Sequence, residues 1–331
     1  MAERELEKLK CYACNGKICQ MCYPCNEEVC QIDSCQFEEW RKVYQEDFKS
    51  SYISSDAELL DVRQHYSDPD TSYRKGRDHS FFNDLVTFLN KREEEMKDSL
   101  QGSFKYRFTE GEGIEVSGTV REGKKIQPFY LRSDQFGFSA PVNKKCYPYD
   151  LYIVKHENKD EAIEQVIKWI SMSRTIGGSF LWPMPFYDKY NPQRGGKITS
   201  NRRYYIQDRV DLTLWEIKNW YDKNGENDIL ERSKEINLKN WLGHFGSFQT
   251  YVTYFMFDEF VSSDGLYNPI NIITGKSDAS VRGAKGENPE PAITEFMEIE
   301  DLDSMLNTLN EKIVKRSIEM TKIIDKEKQG G

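Results

Sequence analysis

SFKYRFTEGEGIEVSGTVREGKKIQPFYLR, residues 103–132, decides the fold class. Ser103–Phe108, Gly113–Val120 and Lys125–Arg132 have strand-like composition, and Glu110-Gly111-Glu112-Gly113 and Glu122-Gly123 separate them with turn residues. Short strands joined by tight turns predict an antiparallel meander, its glutamates on turns and on the solvent face. On the N-terminal side the period changes. Phe81, Phe82, Leu85, Phe88 and Leu89 recur at helical spacing, and Phe37, Trp40, Val43, Tyr44 and Phe48 do the same further upstream. Such aromatic stripes predict core-facing helices.

On the C-terminal side helices take over. Tyr149–Lys155 reads as a strand, followed by a helix with Ala162, Ile163, Val166, Ile167 and Ile170 on one face and Asn158 or Asp160 as N-cap. Ser179–Trp182 reads as a buried strand that Pro183 terminates. Asp211–Tyr221 reads as a helix whose Thr213 and Glu216 have capping-box spacing. Phe248, Tyr251, Val252, Phe255 and Phe260 mark another buried helix. Residues 262–292, rich in Gly, Ser, Asn and Pro, predict a mobile loop. A closing helix from about Asp301 carries Leu302, Met305, Leu306, Leu309, Ile313 and Val314. No internal repeat is evident. The expected class is therefore α+β: a small antiparallel sheet with a helix-rich C-terminal part and a short metal-bound, Cys-rich N-terminal module. The expected division is a metal-binding module over 1–36, a helical connector over 37–101 and an α+β main domain over 102–331.

Composition narrows the function classes. The 331 residues carry a net charge of −9, which argues against a general polyanion-binding surface while leaving room for a local basic patch. With 18 Phe, 19 Tyr and 6 Trp the chain holds enough ring area for a sizeable core, so global disorder is excluded. No apolar run reaches the roughly 18–20 residues that cross a bilayer, and the start MAERELEK lacks the apolar stretch of a signal peptide. The chain reads as cytosolic, with no membrane partner.

Seven of the eight cysteines fall between residues 11 and 35: Cys11, Cys14, Cys19, Cys22, Cys25, Cys30 and Cys35, spaced C-x2-C-x4-C-x2-C-x2-C-x4-C-x4-C. A C-x2-C step on a tight turn points two thiolates at one centre, as in zinc and iron–sulfur sites. Disulfides fit poorly with a chain that lacks a secretory signal, because the cytosol keeps thiols reduced. A structural zinc site is the leading reading. Seven thiolates fill neither one four-ligand site nor two independent ones, so a binuclear cluster with bridging thiolates and a single site with spare cysteines both account for the count. For a single site, Cys11 and Cys14 form one ligand pair and Cys30 and Cys35 the other, with Cys19, Cys22 and Cys25 as the alternative set. An iron–sulfur cluster is the alternative, since Cys19-x2-Cys22-x2-Cys25 copies the first three ligands of a ferredoxin-type run but lacks the Cys-Pro that ends it. The segment contains no His, and an all-thiolate site is closed, so its role is structural rather than catalytic.

The densest chemistry elsewhere runs from residue 174 to 216. There is no G-x-x-x-x-G-K-[ST], G-x-G-x-x-G, H-E-x-x-H or G-x-S-x-G motif, and His65, His79, His156 and His244 are scattered, each read as a surface or satisfied residue. Instead Arg174 precedes Gly177-Gly178, Arg194 precedes Gly195-Gly196-Lys197, and Asp208-Arg209-Val210-Asp211 opens a helix. Glycine pairs beside arginines let backbone N–H groups approach an anion while a guanidinium grips it. Asp208 and Asp211 can orient those arginines, hold Mg²⁺ or cap the helix. The bland reading of the same residues is a helix C-cap, a glycine turn and an Asp–Arg ion pair.

RTIGGSFLWP, NPQRGGKI, IQDRVDLTLWEIKNWY and FGSFQTYVTYFMFDEFV together resemble a family of uncharacterised bacterial proteins with the pattern R-x-I-G-G…P, R-G, D-R-x-D-L-T-L and F-G-x-F-x-x-Y-V. The resemblance covers roughly residues 148–325 and leaves the Cys-rich N-terminus as an addition. It implies a shared domain, with Arg174, Gly177, Gly178, Arg194, Gly195, Asp208, Arg209 and Asp211 in one site or one structural knot, and it brings no activity. The expected function is a structural zinc-type module joined to a domain that binds an anionic ligand, a nucleotide or nucleic acid, through Arg174, Gly177, Gly178, Arg194, Gly195, Lys197 and Arg209. A protein partner and a role in phage defence are associated expectations. A metal-dependent, toxin-like phosphodiester or nucleotide enzyme built on Asp208 and Asp211 is the first alternative, and an iron–sulfur redox or sensor protein the second.

Overall fold

Alternation along the first strand sets the architecture. In β1 (Ser103–Thr109) Phe104 and Tyr106 are buried while Ser103, Lys105 and Arg107 are exposed, so one face turns to the core. β2 (Gly113–Thr119) pairs with it antiparallel from Ser103↔Thr119 to Thr109↔Gly113 and buries Ile114 and Val116 on the same face. β3 (Phe129–Gln135) and β4 (Ser179–Pro183) complete a four-stranded antiparallel sheet in the order β1-β2-β3-β4. The computed structural model describes residues 79–135, 156–158, 161–162, 165, 175–183, 210–225, 236–272, 277 and 299–330.

The expected meander is present, with one shift. The third strand begins at Phe129 rather than Lys125, because Pro128 has no N–H to give the ladder. Lys125 instead makes a single bridge to Thr119 across the turn at Arg121–Gly123. Among the described strands β4 lies at an edge, yet it is buried along its whole length, so its near-continuous apolar run reflects cover on both faces. Pro183 ends it opposite Leu131 at the edge, where a missing donor is tolerated.

Five helices are described around the sheet: α1 (Ser80–Met96), α2 (Val210–Asp222), α3 (Ile236–His244), α4 (Phe248–Phe255) and α5 (Ile299–Gly330). α3 lays Trp241 and His244, one turn apart, on the sheet face: Trp241 meets Tyr106 and Phe129 edge-on, and His244 stacks on Phe104 at 3.8 Å. α1 carries the aromatic stripe read from the sequence and joins the strands in one core, with Phe82 stacked on Phe108 at 5.5 Å. The part of the expected connector from Ser80 to Met96 is thus packed with the strands. α4 is capped by Ser247, whose Oγ accepts the Thr250 N–H at 3.1 Å, and stops at Met256 in the left-handed region.

Two local expectations change. Thr213 and Glu216 lie inside α2, which starts at Val210, so they are buried helix-interior residues and not a capping box. Residues 262–272, the start of the segment expected to be a mobile loop, form a pinned turn. Val261 bridges Pro269, Ser262 N–H donates to Asn268 O, and Asp264 Oδ1 accepts from Ser262 Oγ and the Leu266 N–H. The cysteine module, the helix over Phe37–Phe48 and the strand over Tyr149–Lys155 lie outside the described residues.

Candidate functional site

Thr175 leads into a short 3-10 turn, Ile176–Gly178, that feeds β4, and α5 is pressed against this turn. A Cβ on Gly177 would stand 2.3 Å from Ser317 Oγ and 2.5 Å from Ile313 O of α5, so only glycine lets the helix come this close. The Gly177 N–H donates to Ser317 Oγ at 2.9 Å, and Ser317 Oγ shares a proton with Thr175 Oγ1 at 2.7 Å. The Gly178 N–H donates to Thr175 O at 3.0 Å. Both glycine amides read from the sequence as anion donors are thus spent on holding the turn and α5 together.

The next residue of α5 tightens the same knot. Arg316, 2% exposed, donates from Nη1 to Gly177 O (2.6 Å) and Ser179 O (3.0 Å) and from Nε to Phe255 O (2.8 Å). Its guanidinium lies 4.1 Å from the centre of the Phe257 ring. Burial of the cation pushes Arg316 down to about 9, opposed by the nearby Tyr251. Ser179 Oγ donates to Ile176 O at 2.6 Å and closes the turn.

Asp211 sits in the first turn of α2, fully buried, and accepts the Ile272 N–H on Oδ2 at 3.1 Å. It braces the start of α2 against the end of the 262–272 turn, while Gly177 is held by α5. Of the residues singled out in the sequence, Gly177, Gly178 and Asp211 are therefore placed. Arg174, Arg194, Gly195, Lys197, Asp208, Arg209 and the seven cysteines lie outside the described residues.

The structure also assembles a polar cluster that sequence reasoning missed. Glu93 of α1, whose side chain is 10% exposed, accepts from Tyr106 Oη at 3.0 Å on Oε1 and from the Phe104 N–H at 3.2 Å on Oε2. His244 Nε2, fully buried, lies 2.7 Å from the same Oε1. Tyr254 Oη is within reach of Glu93 Oε1 (3.1 Å), Leu89 O (3.0 Å) and Tyr106 Oη (3.3 Å). Glu93 is thus the acceptor at the centre of this cluster. Burial pushes the Tyr106 and Tyr254 hydroxyls well above the ordinary tyrosine range. Glu93 stands among Lys and Glu residues that read as solvent-facing, and its partners are 11 to 161 residues away, so no local signal marks it.

Among the described residues no group of three or more His, Cys, Asp or Glu side chains is placed to hold a metal ion, and no helix is long and apolar enough to cross a membrane. Fold and site together define an α+β domain: a four-stranded antiparallel sheet with α1 packed on β1 and α5 packed on the turn that leads into β4. The chain belongs to a family of unknown function, DUF6994, whose family model matches residues 115–284. No curated protein and no solved structure matches the chain. The matched span starts inside β2 and stops before α5, whereas the resemblance had covered roughly 148–325. Three elements that complete this domain thus lie outside it: α1, the edge strand β1, and α5 with Arg316 and Ser317.

Proposed function

We propose that this protein binds an anionic ligand, a nucleotide or a nucleic acid strand, on the basic segment between β4 and α2, and that a zinc-type thiolate module at its N-terminus serves recognition or assembly. The carrying observation is a reversal of charge. Residues 184–209 hold Lys189, Arg194, Lys197, Arg202, Arg203 and Arg209 against only Asp188 and Asp208, in a chain of net charge −9. Phe186, Tyr187, Tyr190, Tyr204 and Tyr205 are interleaved with them, the residue types on which bases stack.

The anchoring of the two flanks supports the reading. β4 is held through Arg316 and Ser317, and α2 begins on the buried Asp211. A segment whose ends are fixed loses less entropy when it closes on a ligand. In this reading Arg174, Arg194, Lys197 and Arg209 supply charge, and Gly177, Gly178 and Asp211 hold the frame. Because Asp211 is fully buried and already accepts a backbone N–H, the metal-dependent enzyme reading finds no support at that residue.

Fluorescence anisotropy with labelled single-stranded oligonucleotides and with nucleotides tests the proposal. Binding should weaken linearly in log–log form as salt rises, and a double Arg194→Ala, Lys197→Ala variant should bind more weakly with a shallower salt slope. Absence of binding to every anionic probe at low salt would sink the reading.

A further inference from the structure

The cysteine segment, outside the described residues, carries an order that the reading of its spacing overlooked. CYACNGKICQM (residues 11–21) and CYPCNEEVCQI (residues 22–32) are two consecutive copies of one eleven-residue unit. They agree at all three cysteines and at the Tyr, Asn and Gln between and beside them, and Ile18 and Met21 are replaced by Val29 and Ile32, equally apolar. The expectation that the chain has no internal repeat is therefore corrected. Each copy reads C-x2-C-x4-C, and a further Cys-Gln, Cys35-Gln36, follows the second.

A duplicated unit makes two like half-sites, each with three thiolates, where a closed tetrahedral centre needs four. The second copy finds its fourth ligand in Cys35. The next thiolate after the first copy is Cys22, which opens the second. Cys22 is also the cysteine that stands at C-x2-C distance from a neighbour on both sides, Cys19 and Cys25. No histidine precedes His65, so no imidazole lies in the segment to complete a site.

We propose that residues 11–35 bind two zinc-type divalent ions, the first through Cys11, Cys14, Cys19 and Cys22 and the second through Cys22, Cys25, Cys30 and Cys35, with the Cys22 thiolate bridging them. The proposal rests on the reading of this segment as a zinc module. Each thiol gives its proton to solvent as the ions bind, and no atom changes oxidation state.

Elemental analysis and native mass spectrometry of the full chain, purified with reductant and without chelator, provide the test. Two zinc ions per chain are expected. Competition with a chromophoric chelator should show Cys22→Ser losing both ions together, Cys11→Ser and Cys35→Ser each losing one, and Cys146→Ser losing none. If Cys22→Ser does not fold, cobalt(II) added to the metal-free wild-type chain gives an independent readout. The magnetic moment per cobalt should fall between the first and second equivalent, because one sulfur couples the two ions. An unchanged moment overturns the bridge. One zinc per chain overturns the shared thiolate and leaves the zinc module standing. Loss of an ion in Cys146→Ser makes that residue the eighth ligand and overturns the bridge. Iron with sulfide, or no metal, overturns the bridge and the zinc reading together.

Discussion

The β1 edge of the sheet and the turn that leads into β4 are each held by a helix through the same device, with opposite charge. At the β1 edge, α1 supplies an anion. Asn90 accepts the Tyr106 N–H and donates to Tyr106 O, both at 3.1 Å, and Glu93, one turn on, takes the Phe104 N–H. These are the groups of β1 that point away from β2, so the helix pairs an edge that would otherwise be open. At the β4 end, α5 supplies a cation: Arg316 takes the carbonyls of Gly177, Ser179 and Phe255. Unmet edge donors call for a carboxylate and an amide, whereas unmet carbonyls call for a guanidinium, whose planar fork reaches several at once. The sign of each buried charge follows the backbone groups that it meets: a carboxylate where they are N–H donors, a guanidinium where they are carbonyls.

Alkali should separate the two places most strongly. Burial raises Tyr106, Tyr254, Tyr251 and Tyr221 above the ordinary value of 10.0. A group whose value is raised in the folded state adds stability that is complete below its unfolded value and is lost as pH climbs through the folded one. Stability should therefore fall above about pH 10. Arg316 acts in the opposite sense in the alkaline range, since its folded value is depressed to about 9 and the unfolded chain holds that proton longer. Ionising Tyr106 or Tyr254 places a second negative charge beside Glu93, so the α1 edge should open first. Tyrosinate absorbance followed together with amide exchange in α1 and α5 checks this, and earlier loss of α5 would contradict it.

Arg316→Ala comes next. It takes a donor from each of three buried carbonyls and removes the contact with Phe257, at a cost of about 3 kcal/mol or more. Glu93→Gln keeps the shape at the β1 edge but weakens its hydrogen bonds, costing about 1.5–3 kcal/mol. Urea unfolding of both variants at neutral pH gives the comparison directly, and a larger loss in Glu93→Gln would reverse the ranking. Gly177→Ala should cost about 1–3 kcal/mol, because its methyl would meet the α5 backbone at Ser317 N and Ile313 O as well as the Ser317 hydroxyl. Ser317→Ala in the same series removes one hydroxyl and its two hydrogen bonds, so it should cost less. The smallest effect is expected on the exposed side of β1, where Arg107 meets Glu115 at 2.7 Å with the arginine 75% exposed. Arg107→Ala should leave the urea midpoint almost unchanged, and high salt should remove what difference there is.

Much of the fold was legible because local periods carry it. Alternation marked β1 and β2, the stripes of α1 and α5 fell at helical spacing, and Pro183 ended β4 where it stood. The same logic misplaced the capping box at Thr213 and Glu216, since capping-box spacing does not say on which turn of a helix it falls. The candidate site was legible in part. Gly177, Gly178 and Asp211 drew notice as unusual residues, but their work is packing and bracing, which depends on Ser317, Ile313 and Ile272 far along the chain.

By itself, the amino-acid sequence determined the periodic elements, the local reversal of charge over 184–209 and the doubled cysteine unit, because each is a matter of residue type at fixed short spacing. Only the tertiary structure decided which polar residues are buried and what they hold. Glu93 and Arg316 look like any charged residue on a helix until α1 meets β1 and α5 meets the 175–179 turn. Their partners lie as far as 161 and 139 residues away, and nothing local in a chain encodes a hydrogen bond across that distance.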